Sequence, residues 1–122
     1  MNYDKAYLIS LERSPARRKN FYRYARKAGI DVEWFPALYG LDVNTVDYQK
    51  RGYLSEDFKL KLAGSLGTLL SHVHVWEKIA EDPQCEVGLV FEDDADFNRR
   101  FLTDLSAINR SDVPADWDML WL

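Results

Sequence analysis

The sequence predicts an α/β protein in which helices pack on a mostly parallel sheet. Three observations carry that prediction. Short apolar runs bounded by charge recur along the chain, amphipathic helical patterns fall between them, and glycine and proline sit where such elements should stop. At 122 residues, 47% of them hydrophobic and 14% aromatic, the chain holds enough apolar material for one core. A single domain over residues 1–122 is therefore expected, with no repeat or linker dividing it.

Residues 6–11 (AYLISL) are short, apolar and charge-bounded, as a buried strand is. Ser14 then suits a helix N-cap, and Pro15 suits the first helical position, where its missing N–H costs nothing. Phe21, Tyr24, Ala25 and Ala28 recur at helical spacing, and Gly29 stands where a left-handed C-cap residue is wanted. Residues 31–35 (DVEWF) alternate polar and apolar, a second strand closed by Pro36. Strand, helix and strand in that order favour two neighbouring parallel strands.

Residues 37–62 carry weaker signals, and a long connection with a short helix or two is expected there. Gly64-Ser65-Leu66-Gly67 precedes a clearer helix over 68–81, with Leu69, Leu70, Val73, Trp76 and Ile79 on three- and four-residue steps. Asp82-Pro83 should end it. Residues 87–91 read as a buried strand, and Phe101, Leu102, Leu105 and Ile108 as part of another helix. Residues 118–122 (DMLWL) read as a last strand. A buried strand there would lack cover, so these residues are expected to be the first part of a longer domain.

A formal charge of −4 argues against nonspecific nucleic-acid binding, which needs a dense basic surface. The cations are uneven, however. Arg13, Arg17, Arg18, Lys19, Arg23, Arg26 and Lys27 crowd one early segment, which leaves room for a local anion site. Cys85 is the only cysteine, so no intrachain disulfide can form, which fits a reducing compartment. No run of about 18 apolar residues spans a bilayer. A soluble, cytoplasmic protein is expected, at most peripheral to an inner membrane.

The acids Glu92, Asp93, Asp94 and Asp96 leave the strand at its carboxyl end, where ligands of open α/β sheets gather. Alternation puts Glu92 and Asp94 on one side and Asp93 on the other. Two carboxylates side by side repel unless a cation or proton sits between them. Oxygen ligation of that kind suits a hard divalent ion, Mg²⁺ or Mn²⁺, that takes further ligands from a bound diphosphate. Two other readings stand beside it. Asp94 or Asp96 could cap a following helix, and Asp94-Ala95-Asp96 has the spacing of a phosphatase-type nucleophile and acid.

Gly64 and Gly67 offer flexibility just before a helix N-terminus, a place for an anion, although close helix packing explains them equally. His72 and His74 do not share a helix face, whereas His72 and Trp76 do. His72 is read either as a buried, hydrogen-bonded histidine or as pocket lining. Arg13 and Arg17 flank the turn after the first strand, either as a solvated surface or at the ligand edge.

Three segments together resemble a known family. Residues 7–18 (YLISLERSPARR) resemble its opening v-I-N-L-x-R-x-x-x-R, residues 64–72 (GSLGTLLSH) its G-x-x-G-C-x-x-S-H, and residues 90–95 (VFEDDA) its x-x-E-D-D-A. Order and separation also match, so the chain resembles glycosyltransferase family 25, which includes lipooligosaccharide and collagen galactosyltransferases. Ser10 stands where Asn is usual and Thr68 where Cys is common. The resemblance implies a GT-A-like domain of which these residues form about the first half.

It further implies transfer of a sugar, with galactose the expected one, from a UDP-sugar to a lipooligosaccharide or other glycan acceptor, with inversion. Asp94 would lead in holding a metal (Mn²⁺ or Mg²⁺) and the diphosphate, with Glu92 or Asp93 assisting. Ser10, Arg13 and Arg17 would lie near the nucleotide, and Gly64, Gly67, Ser71 and His72 would shape the donor pocket. Asp93 and Asp96 are the nearby candidates for the catalytic base, although a residue beyond Leu122 is expected to supply it. The alternative is a non-catalytic remnant that folds, binds nucleotide or pairs with a second copy through an exposed sheet edge, and transfers nothing.

Overall fold

The computed structural model describes all residues, 1–122. Three strands, β1 (Lys5–Ser10), β2 (Glu33–Pro36) and β3 (Gly88–Glu92), form one sheet in the order β2-β1-β3 with both pairings parallel. The helices are α1 (Pro15–Ala28), α2 (Thr45–Lys50), α3 (Ala63–Ala80) and α4 (Phe101–Ala107). The predicted α/β class and the first parallel unit are present as read. Ser10 pairs with Pro36 and Ile9 with Glu92, which brings the carboxyl ends of all three strands to one edge.

Side-chain alternation along β1 divides the core into two halves. Ala6 and Leu8 face α1 and α4, packing with Phe21, Ala25, Leu89, Phe91 and Leu105. Tyr7 and Ile9 face α3, packing with Val75 and Ile79. Leu8 and Phe21 are almost wholly buried, and each such side chain stabilises the fold by about 1.5–3 kcal/mol relative to an exposed one. A third cluster of Leu54, Leu66 and Leu70 seats the 37–62 connection on α3.

Helix α1 starts on Pro15 and stops on Gly29, whose φ of 75° is the left-handed conformation that closes a helix. Ser14 occupies the N-cap position, but its hydroxyl makes no capping bond. Instead Arg18 reaches back from the first turns to the carbonyls of Leu11 and Glu12.

Helix α3 begins at Ala63, ahead of the predicted start at residue 68, so Gly64 and Gly67 lie inside it and not before its N-terminus. Gly67 has a packing reason to be there. A Cβ on it would stand 2.5 Å from the Leu38 carbonyl oxygen and 2.8 Å from Gly40 N, and a Cβ on Gly40 would stand 1.6 Å from the Ala63 carbonyl oxygen. The two backbones cross at contact, and that packing offsets the helix propensity lost to glycine.

Residues 118–122 are not a strand. Trp121 is 85% exposed, and the segment joins no sheet. Its continuous apolar run supplies a strand-like composition but no neighbouring backbone to complete a ladder, and a strand needs both.

Two outcomes follow from this packing. Gly67→Ala should lower stability by about 1–3 kcal/mol through overpacking, whereas Gly64→Ala, with open space around its Cβ, should raise it by about 0.5–1 kcal/mol. Urea unfolding midpoints would separate them. The second outcome concerns Lys5 and Asp82, which form an ion pair across the amino edge. The Lys5 ammonium holds the Asp82 carboxyl below its usual range, and Asp82 holds the Lys5 ammonium above its own. A lowered acid stabilises the fold above its unfolded pKa, about 3.9, and a raised amine does so below its unfolded pKa, about 10.4. The melting-temperature gap between the native chain and Asp82→Asn should therefore be constant from about pH 5 to 9 and close as pH falls below about 4.

Candidate functional site

The alternation that sorts the core also places Glu92. Leu89 and Phe91 face α1 and Glu92 follows Val90 toward α3, while Asp93, in the turn after the strand, lies on the α1 side. The Asp93 side chain is 9% exposed and has two partners, a hydroxyl and a guanidinium. The Ser10 hydroxyl donates to Asp93 Oδ2 at 2.6 Å, and Arg17 Nη2 forms an ion pair with Asp93 Oδ1 at 2.6 Å. On the other side, Glu92 Oε1 lies 3.1 Å from His72 Nε2, and the His72 ring stands 5.8 Å from that of Trp76.

Asp94 departs from the expected pairing with Glu92. The strand ends at Glu92 and the next two residues form a turn, so alternation no longer governs. Asp94 Oδ2 lies 3.3 Å from the same Arg17 nitrogen that binds Asp93. One guanidinium thus spans a buried and an exposed carboxylate. Ser10, Arg17, Asp93 and Asp94 converge at the carboxyl edge, with Glu92 and His72 paired on the sheet's other side.

The neighbouring loops build walls around this edge. The Arg13 guanidinium stacks over the Tyr39 ring at 3.6 Å, joining the loop after β1 to the one after β2. Arg18 lies 4.1 Å from the Trp34 ring, and Trp34 Nε1 donates to the Ser10 carbonyl at 2.9 Å. Arg18, Trp34 and Tyr39 were not among the expected site residues, since only the folded chain brings an arginine at 18 against a tryptophan at 34.

Ser71 is fully buried. Its hydroxyl donates to the Gly67 carbonyl at 2.6 Å and accepts from the Leu38 N–H at 2.9 Å. Ser71, Gly67 and Gly40 therefore fix the backbone that presents Tyr39. Gly64 has no non-neighbouring heavy atom within 4 Å of where its Cβ would be.

The acids do not cap the following helix. Helix α4 begins after Arg100 with no side-chain cap, and it is Asn98 whose side-chain oxygen accepts from the Arg100 N–H, at 2.7 Å. Asp96 turns away from the Arg17 cluster and lines a hollow of about 320 Å³ with Tyr24, Lys27, Phe97 and Arg99. A larger cavity of about 670 Å³ lies at the opposite, amino edge, between residues 1–6 and α4.

No group of three or more His, Cys, Asp or Glu side chains is arranged to cage a metal ion. Asp94 and Glu92 are nevertheless 69% and 49% exposed, with oxygens open to solvent. Asp94 alone, on the Arg17 side, fits a hard divalent ion held by one carboxylate and completed by water and substrate phosphates. Arg17, itself 55% exposed, presents a guanidinium able to take a phosphate oxygen in bidentate fashion.

The family model of glycosyltransferase family 25, described as an LPS biosynthesis protein family, matches residues 3–122. A "Glycosyltransferase 25 family member" of Aedes aegypti is 36% identical over 110 residues, covering 83% of this chain and 18% of that protein. Procollagen galactosyltransferase 1-A of Xenopus laevis is 29% identical over 131 residues, covering 100% of this chain and 21% of that protein. A human protein named "Inactive glycosyltransferase 25 family member 3" is 27% identical over 132 residues, covering 100% and 22% respectively. The chain spans about a fifth of the length of these curated relatives.

If Asp93 ties β1 to α1, Asp93→Ala should cost about 1–3 kcal/mol by stranding the buried Ser10 hydroxyl donor. Asp94→Ala, which loses only an exposed ion pair, should stay within about 0.5 kcal/mol of the native chain. Equal urea midpoints for the two variants would refute the assignment.

Proposed function

The chain belongs to glycosyltransferase family 25, and from that premise we propose that its carboxyl sheet edge binds the diphosphate of a UDP-sugar for transfer, with inversion, to a glycan acceptor such as a lipooligosaccharide. Galactose is the proposed sugar. The observation that carries this reading is the meeting of Arg17 with Asp93 and Asp94 beside Ser10, at the strand ends where an open α/β sheet receives its ligand.

Each residue has a role in the proposal. Arg17, anchored by the buried Asp93, turns its outer nitrogens to a phosphate oxygen and neutralises charge there as the nucleotide leaves. Ser10 and Asp93 fix that guanidinium in place, so that little reorganisation is needed when the ligand arrives. Arg13 on Tyr39 and the His72–Trp76 pair would border the bound nucleotide and sugar. Asp94, the exposed carboxylate on the Arg17 side, would hold Mn²⁺ or Mg²⁺, and Glu92, paired with His72 across the sheet, would not share that ion. Such an ion supplies Lewis-acid stabilisation of the departing diphosphate.

The second reading is a folded domain that binds nucleotide without transferring sugar. It is favoured by the fact that each carboxylate of the acidic segment through Asp94 already has a partner within the protein, Arg17 or His72. Pairing of two chains across the free edge of β2 or β3 belongs to either reading.

Calorimetric titration of UDP with and without Mn²⁺ tests the site. The native chain should bind UDP more tightly with the metal, and Asp94→Ala should lose that enhancement while melting at the native temperature. Metal-independent binding in both proteins would remove the ion from the proposal, and no binding in either would remove the nucleotide. Release of galactose from UDP-galactose separates the transferring chain from the merely binding one.

A further inference from the structure

We propose that the outward face of α1 is a docking surface for an anionic phospholipid bilayer. Helix α1 carries six cations, Arg17, Arg18, Lys19, Arg23, Arg26 and Lys27, and no acid. The whole chain has a net charge of −4, so the rest of the molecule is more acidic still. Arg17 and Arg18 turn inward, to Asp93 and to loop carbonyls. The other four are exposed, and none of them takes part in an ion pair.

Their placement on the helix is one-sided. At 3.6 residues per turn, Lys19, Arg23, Arg26 and Lys27 fall within an arc of about 100° and along about 12 Å of axis. That arc lies opposite Phe21 and Ala25, the side chains α1 buries. Half-buried Tyr22 and Tyr24 flank the row on either side, the position in which amphipathic rings meet a headgroup layer. The result is a one-sided row of exposed cations without ion-pair partners, bordered by aromatic rings; Arg23 donates to Asn20 Oδ1 at 2.8 Å, and Lys27 shares the rim of a hollow with Asp96.

A plane of phosphates fits that one-sided charge better than a nucleic acid does. A polyanion that wraps or fills a groove would meet the acidic remainder of the molecule, whereas a bilayer touches one face only. Each basic residue near an anionic membrane contributes about 1 kcal/mol at moderate salt, so four together shift partition by about a thousandfold. The proposal does not depend on sugar transfer. Helix α1 begins at the carboxyl edge of the sheet, so docking along it holds the Arg17–Asp93 edge close to the headgroups.

Co-sedimentation of the full chain with vesicles tests this surface. The chain should pellet with phosphatidylcholine vesicles containing phosphatidylglycerol, not with phosphatidylcholine alone, and added salt should release it. The quadruple variant K19Q/R23Q/R26Q/K27Q, which keeps good helix formers on a solvent face, should lose about a thousandfold in partition and R23Q alone about fivefold. Unchanged far-ultraviolet circular dichroism would show that the variant folds. K59Q/K61Q, which removes exposed cations elsewhere, should bind as the native chain does. The proposal is overturned by failure to bind mixed vesicles, by equal binding of the quadruple variant, or by equal loss in K59Q/K61Q. Displacement from vesicles by soluble glycerol phosphate would point to a free phosphate site instead, and displacement by duplex RNA at matched phosphate to a nucleic-acid surface. Either result overturns it.

Discussion

One carboxylate holds the carboxyl edge together. Asp93 sits past the end of β3, yet it binds the last residue of β1 through Ser10 and the first turn of α1 through Arg17. The turn after β3 is thereby fixed to the end of β1, 83 residues away in sequence, and to the start of α1. A carboxylate this deeply buried would be costly without partners. Its two partners satisfy it, and in doing so they give Arg17 a defined position at the rim.

The arrangement also explains how so many acids can stand together. Asp93 and Asp94 share a guanidinium, and Glu92 is drawn to the opposite side of the sheet by His72. Mutual repulsion is relieved by distributing the charges over two faces and two partners. Asp94 remains the most solvent-accessible of the three, which is why it is the one available to something from outside. The membership in glycosyltransferase family 25 rests on the full run of residues 3–122, of which this edge is only a small part.

Much of this was legible from local pattern. The strands and α1 declare themselves because buried strands are short and apolar, and because Pro15 and Gly29 mark α1's two ends. The sides taken by Phe91 and Glu92 follow from alternation. What pattern could not show is contact between distant segments. Gly64 and Gly67 look like a break before a helix, and only the backbone of residues 38–40 lying against Gly67 shows why a glycine belongs inside one. The stacking of Arg18 on Trp34 and Arg13 on Tyr39 has the same origin. Asp94 escapes alternation because the strand has ended, and residues 118–122 have a strand's pattern without a strand beside them.

The middle strand of the sheet is the first one synthesised. Ile9 finds its partner only at Glu92, and at about 5–20 residues per second a ribosome needs on the order of 4–16 s to cover that interval. Until then β1 has at most β2 on one flank and an open row of amides and carbonyls on the other. A nascent chain in that state is a template for any passing extended segment, so the emerging polypeptide has reason to keep its early cations, Arg17 to Lys27, as charged gatekeepers against premature association.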